Sequence, residues 1–599
     1  MKKMKEYLGK ISIMDYILIG VMLLFCFFSY LHGDIFHTGG SSFAYLNGHF
    51  WDFYDYNKKY LNVNNYLPTT YVFFALWNIP IRMLGLVTYP TRKVAVGVAL
   101  WYKLLTIVFF IGTAYYIYKI CCELELNKKT AKIAALIFLT NPIAIYSQFI
   151  FCQYDIITTF FLVVGFYYWV KECDYKFIGA FAIALTCKYF SLLFFLPLLL
   201  IKEKNILKIV YKVLLVCSLF IVETLIYIHS SAFIDGVFGF NAISYIFNLS
   251  LDLGYVKISV VILLFALLCG YCYFSEKDNY NELAISTLNF VTFIAFGLSF
   301  WHPQWLLIAV PFWTLGTVFS KNKELYLLLD IFLMIFYIGF AIKSFGAGVS
   351  EGLLKNLAWK WILGDVSRIS GNFTMSSFIL GIDKNFLFSC FASILAVYVF
   401  FKTPSFFNKG TDVNLEAPSI AWLMRARWMV VLVIFIIPSL ITLYINYSEP
   451  SDILGFSNKN IKYIGGMCDG VYYDQKIVLD DAYDVSSISI YTGTYDREND
   501  CTLICELFDC DDEKLLSKEI DAKKLANNSY TKISFDDIRI EPGEYTIRFY
   551  CKGVLGDLSN TISLAMADSP KDGKVYAIIG GERQKYNLVL TLNGESVDD

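Results

Sequence analysis

Charge is what this chain has least of. Of its 599 residues only 17% are Asp, Glu, Lys or Arg, against about a quarter in soluble domains. That scarcity, with 57% hydrophobic residues, excludes a soluble globular body for most of the length. A basic excess is also missing. The 50 Lys and Arg stand against 52 Asp and Glu, a net charge of -2, so no nucleic-acid partner is indicated. The cysteines lack metal-ligand spacing: ten of the 15 are scattered through the apolar part and read as small core residues. No small-residue cleavage site follows the apolar run from Ile11 to Leu31, which reads as a retained signal anchor behind the basic flank Met1-Lys2-Lys3-Met4-Lys5. A convincing internal repeat is missing too, and charges deep in apolar runs are few, Glu223 and Asp330 being the candidates. Transporters usually show repeat symmetry or charges at the bilayer midplane.

What is present is a series of apolar runs of bilayer-crossing length. They fall near 12–31, 98–119, 132–149, 154–170, 206–229, 255–275, 283–300, 304–319, 324–343, 382–401 and 428–446. The stretch 177–201 is interrupted at Cys187-Lys188-Tyr189. Read as two short helices with Lys188 at their outer turn, it brings the count to about 13 spans. Lys128, Lys129, Lys171, Lys176, Lys202, Lys204, Lys321, Lys323, Arg425 and Arg427 then all fall on the cytoplasmic side, as the positive-inside rule requires. The segment 66–86 is apolar but broken by Pro68 and Pro80 and carries Arg82. It reads as an interfacial or re-entrant piece of a first outer loop spanning 32–97. Aromatics at 18% suit crowded interfacial belts.

Beyond Tyr447 the composition turns polar and acidic. Alternating stretches such as Ser487-Ile488-Ser489-Ile490-Tyr491 and Glu544-Tyr545-Thr546-Ile547-Arg548-Phe549-Tyr550 predict short strands. The expected architecture is a mainly α polytopic membrane bundle, 1–446, then a linker, 447–454. An extracytoplasmic all-β sandwich, 455–599, follows. Its five Cys are an odd number and form no disulfide framework. The loop 403–424 is expected to be a cytoplasmic linker before the last span.

In this topology all five His (His32, His37, His49, His229, His302) lie near the outer ends of spans, with Gln153, Asp155, Lys188 and Gln304. Groups that titrate or donate hydrogen bonds thus collect on one rim of the bundle. An acidic residue at a membrane face is costly unless it binds or reacts, which singles out Asp34 in Leu31-His32-Gly33-Asp34-Ile35-Phe36-His37. Taken singly each residue has a structural reading: Asp155 as a helix cap, Lys188 as a snorkelling side chain, His302 as a satisfied turn residue.

Four elements carry a resemblance. Phe149-Ile150-Phe151-Cys152-Gln153-Tyr154-Asp155 resembles the Gly-Gln-Tyr-Asp motif of polyprenyl-phosphate-sugar-dependent glycosyltransferases of the GT-C superfamily, especially bacterial mannosyltransferase-like members. Asn141-Pro142 is similar to their Asn-Pro element, Lys188 with Pro197 to their Lys-plus-Pro helix pair, and Trp301-His302-Pro303-Gln304-Trp305 to their His-Pro-Gln segment. The likeness covers roughly 10–345 and departs at Cys152, where Gly is usual. It implies a membrane glycosyltransferase with Asp34 as catalytic base and Asp52 and Asp55 as rivals. Lys188, with His302 or Arg82, would face the departing phosphate, and Gln153, Tyr154, Asp155 and Gln304 would line the substrate site. Trp301, Trp305 and Tyr154 are candidates to stack on sugar faces. The implied partners are a polyprenyl-phosphate-sugar donor, a glycan, lipid or protein acceptor, and membrane lipids. No cofactor is implied, and a single Gly33-Asp34 in place of an Asp-x-Asp pair gives no sign of a divalent metal. The C-terminal strands loosely resemble jelly-roll carbohydrate-binding modules. The alternatives are a transporter or flippase of lipid-linked sugars and a non-catalytic membrane scaffold.

Overall fold

Apolar runs fold as helices here because a chain without water must satisfy its backbone internally. The computed structural model describes residues 11–61, 64–239, 245, 247–276, 280–345, 349, 353, 381–400, 413–447, 452–455, 461–495, 497–525, 527–554, 559–568 and 575–597. The basic flank at 1–5, the 403–412 part of the expected cytoplasmic linker and part of the 447–454 linker lie outside these. The chain divides into two compact units, one chiefly Met1–Ala341 with Asp383–Ile436, the other chiefly Ile437–Asp599.

The first unit is a helical bundle. Four helical stretches are long and apolar enough to cross a membrane: Val96–Glu123, Ile206–Tyr227, Lys323–Phe345 and Pro418–Ile441. Two bent pairs, Ile13–Ser29 with Gly33–Leu46 (70°) and Lys128–Leu139 with Pro142–Ile150 (56°), raise the number to six. The shortfall from thirteen is one of length. Asp155–Val170, Val260–Phe274, Pro303–Phe319 and Lys384–Phe400 are apolar but each shorter than 18 residues. The breaks have local causes. The Asn141 side chain accepts from the N–H groups of Ile143 and Ala144, and Pro142 opens the next turn. The run 177–201 is broken at Lys188, between Asp174–Cys187 and Leu192–Lys202.

The polar residues inside the bundle are mostly paired. Arg427 is fully buried, with Nη2 2.9 Å from Asp330 and 3.0 Å from the Ile137 carbonyl. Arg425 grips Asp15 with two hydrogen bonds of 2.6 and 2.8 Å. Both arginines lie within a helix beginning at Pro418. The last span therefore starts ten residues before the expected 428, and 418–424 is helix, not linker. Glu223 accepts from the Thr69 hydroxyl at the start of Pro68–Met83, a helix with no side-chain cap of its own.

The expected outer loop 32–97 is largely helical: Gly33–Ser41, Phe43–Leu46, Phe53–Tyr60 and Pro68–Met83. Adjacent glycines seat the first of these. A Cβ on Gly39 would stand 2.3 Å from the Tyr102 ring, and one on Gly40 2.0 Å from the Thr91 carbonyl oxygen. Backbone cannot yield as a flexible side chain does. Gly40→Ala is therefore expected to destabilise the bundle by about 3 kcal/mol, the upper end of overpacking costs. It should show as a lowered thermal midpoint in detergent, and an unchanged midpoint would refute the close packing.

The second unit carries two antiparallel sheets. The six-stranded one has the order Glu582–Arg583, Tyr576–Ile579, Tyr473–Leu479, Gly543–Lys552, Thr502–Phe508, Lys514–Asp521. In the seven-stranded one Tyr483–Gly493 pairs with Ser563–Asp568, Leu590–Ser596 and Ser529–Ile540. Period-two side chains from both sheets, among them Ile477, Leu503, Ile547, Val485, Ile488 and Leu590, share one buried core. Asp452–Gly455 pairs with Leu590–Ser596, so strand structure begins inside the expected 447–454 linker. All 15 cysteines are free thiols.

Candidate functional site

Asp34 is delivered by a helix end. The chain leaves Ile13–Ser29, runs extended through Tyr30, and His32 caps Gly33–Ser41 by accepting the Asp34 N–H on Nδ1 at 3.1 Å. Because Nδ1 accepts, the proton of the neutral ring sits on Nε2. Burial lowers the His32 pKa against the opposing pull of Asp34. Gln153 completes the group. Its Nε2 donates to His32 Nδ1 and Asp34 Oδ2, each at 3.0 Å. Two acceptors on one nitrogen fix the amide orientation and leave Gln153 Oε1 buried without a partner. The Asp34 side chain remains 46% exposed.

Gln153 reaches Asp34 through an unusual turn. A wide helical turn, Tyr146–Ile150, closes with Phe151 N–H on the Tyr146 carbonyl, and Gln153 N–H bonds the Ser147 carbonyl. Between them Cys152 takes φ +60°, a left-handed conformation glycine adopts without strain. The departure at Cys152 from the expected glycine therefore falls where backbone freedom matters.

The next residues build a cation site. Asp155 opens the Asp155–Val170 helix, and Lys188 stands at its helix break with Nζ 2.9 Å from Asp155 Oδ1. Both side chains are at most 9% exposed. The ammonium also lies 4.6 Å from the centre of the Tyr66 ring and 5.4 Å from that of Trp305. Tyr66 packs edge-on against Tyr154 at 4.9 Å, and the Tyr54 hydroxyl donates to the Tyr66 carbonyl. His302 stands beside Trp305 at 5.2 Å. Its pKa is lowered by burial and then by Lys188, while Asp34 and Asp155 pull the other way. Gln304 Oε1 is buried without a hydrogen-bond partner.

The structure thus brings Asp34, Gln153, Tyr154, Asp155, Lys188 and His302 together, with Gln304 next to His302 in the chain. It does not bring Arg82. That residue lies near the far end of Pro68–Met83, about 21 Å along the axis from Pro68, with Nε on Asn47 Oδ1 at 3.1 Å. Its helix carries it away from the phosphate role. Asp52 is engaged by His49 at 3.0 Å, and Asp55 lies in the first turn of Phe53–Tyr60. Trp301 is fully buried and stacked on Tyr337, its Nε1 on the Phe296 carbonyl, so it is a core residue with no face free for sugar. Tyr66 and Lys103 enter as residues to which sequence reasoning gave no role, and His32, placed there only among the histidines of the outer rim, enters as the cap beside Asp34. A lone lysine inside an apolar run was the available signal for Lys103. Among the described residues no three His, Cys, Asp or Glu side chains group as metal ligands.

No family model matches this chain, and no curated protein matches it in sequence. The geometry therefore stands on its own chemistry. A half-exposed carboxylate held by an amide donor sits near a buried cation faced with aromatic rings. That combination suits removal of a hydroxyl proton beside a departing anion.

Proposed function

We propose that the chain is an integral-membrane glycosyltransferase. It transfers a hexose from a polyprenyl-phosphate-linked donor to an extracytoplasmic glycan, lipid or protein acceptor. The observation that carries this reading is the Lys188–Asp155 pair at 2.9 Å under the Tyr66 and Trp305 rings, with Asp155 two residues along the chain from Gln153, which holds Asp34 at 3.0 Å. Gln153 holds Asp34 by Oδ2 and leaves Oδ1 to the acceptor. Asp34 takes the hydroxyl proton as the acceptor oxygen bonds to the anomeric carbon. The bond from that carbon to the phosphate oxygen breaks, and its electron pair leaves on polyprenyl phosphate beside Lys188. One displacement inverts the configuration, and it needs one carboxylate, not the two of glycoside hydrolases.

Orientation follows from where the remaining charge lies. Lys171 and Lys202 gather at the opposite end of the 16-residue Asp155–Val170 helix from Asp155, about 24 Å away. By the positive-inside rule this supports a site on the outer face. The C-terminal strands read as an extracytoplasmic jelly-roll-like sandwich that binds glycan or acceptor. The transporter reading loses support because Asp330 is held by Arg427 and Glu223 by Thr69.

Two experiments test this. Membranes carrying the protein should move label from radiolabelled polyprenyl-phosphate mannose or glucose into lipid or polymer, and label retained on both donors would count against transfer. A reporter fused after Tyr447 should be extracytoplasmic, and one within 403–417 cytoplasmic. A cytosolic sandwich would put Asp34 on the wrong side.

A further inference from the structure

We propose that Lys103 is a positioning residue that holds Asp34 against Gln153, an inference that rests on the glycosyltransferase reading above. Lys103 lies within the apolar Val96–Glu123 helix and is fully buried. An ammonium in such a place is costly unless its protons are all satisfied. Its Nζ stands 3.1 Å from the Cys26 carbonyl oxygen, 2.9 Å from that of Phe27, 2.7 Å from that of Tyr30 and 2.7 Å from that of Phe149. All four are backbone acceptors.

Their positions give the arrangement its meaning. Cys26 and Phe27 belong to the last turn of Ile13–Ser29, and Tyr30 is its cap. Carbonyls there carry the negative end of the helix dipole, and that of Cys26 also accepts the Tyr30 N–H. His32 follows two residues after Tyr30, and Asp34 two after that. Phe149 lies four residues before Gln153. One side chain therefore binds both segments immediately ahead of the residues that meet at 3.0 Å. A second tie supports it: Gln148 Nε2 donates to Thr106 Oγ1, and Thr106 Oγ1 donates to the Lys103 carbonyl. A base displaced by about 1 Å loses on the order of a hundredfold in rate, so this anchoring bears on transfer although Lys103 touches no substrate.

The test needs no assumption about the reaction. Full-length protein carrying Asp34→Cys and Gln153→Cys is oxidised with copper-phenanthroline, and disulfide formation is followed by mass spectrometry. With Lys103 intact the pair should close fast. Lys103→Met and Lys103→Gln should each slow closure about tenfold, as the two segments part. Equal rates would overturn the proposal, and so would collapse of both variants, which would give Lys103 a fold-wide role. In the otherwise native chain, Lys103→Met should lower kcat about a hundredfold with the donor KM nearly unchanged. Added to Gln153→Leu it should cost little more, because both act on the same carboxylate. A purely structural lysine would move KM and add its loss to that of Gln153→Leu. Absent transfer by the native protein would sink the glycosyltransferase reading alone, since the disulfide rates still decide the role of Lys103.

Discussion

Asp34→Asn is expected to abolish turnover and leave donor binding intact. The side chains are nearly isosteric, and the Gln153 amide that now meets Asp34 Oδ2 at 3.0 Å can donate to the new carbonyl oxygen. What the amide cannot do is take the acceptor proton. Loss of a positioned base costs on the order of a hundredfold or more. The donor contacts expected at Lys188 are untouched, so equilibrium binding of the polyprenyl-phosphate sugar should match the native protein. Asp52→Asn and Asp55→Asn should change the rate far less, since Asp52 is already engaged by His49. Initial rates of label transfer, beside donor binding on the same preparations, check this. Native turnover in Asp34→Asn would remove Asp34 from the chemistry.

Lys188→Ala should produce two losses that can be separated. Asp155 is buried beneath Lys188, and removing one partner of a buried pair typically costs about 3–5 kcal/mol. The thermal midpoint should fall. Donor use should fall as well, by about tenfold to a hundredfold, the worth of one hydrogen bond to a charged group. Combining Lys188→Ala with Asp155→Asn should restore much of the stability, because no stranded carboxylate remains, while donor use stays low. Lys188→Arg should substitute poorly, because a planar fork does not replace a compact ammonium between the Tyr66 and Trp305 rings. Full recovery of donor use in the double variant would make Lys188 a structural residue only.

Much of this site was legible because its signals are local. Lys188 interrupts an apolar run, and the helix breaks there. Asp34 follows the first apolar run by a few residues, and its helix starts there. The alternation of Ser487 to Tyr491 foretold a strand of the second unit. What escaped depends on contacts distant in sequence. Helices Gly33–Ser41 and Phe53–Tyr60 are short and polar in part, and packing such as that of Gly39 on Tyr102 holds them where propensity alone would not. Arg82 looked available for phosphate as the cation of the segment 66–86, but that segment folds as the helix Pro68–Met83 and places Arg82 near its far end, on Asn47. Lys103 binds backbone carbonyls, and no pattern of side chains announces those. Helix length alone supports four to six spans, because at Asn141-Pro142 and its like an apolar run continues although the helix bends or stops.

The central claim is single-displacement transfer from a phosphate-linked sugar with Asp34 as base. The measurement that tests it most directly is the NMR spectrum of the product formed by purified protein. The donor is a polyprenyl-phosphate hexose of defined anomeric configuration, carbon-13 labelled at the anomeric carbon. Transfer with Asp34 as base predicts that the labelled carbon leaves phosphate and appears on the acceptor with inverted configuration, and that it stays on phosphate in the Asp34→Asn protein. Retained configuration would demand a covalent intermediate and a second nucleophile, and that result, or a label that never leaves phosphate in the native protein, would contradict the account.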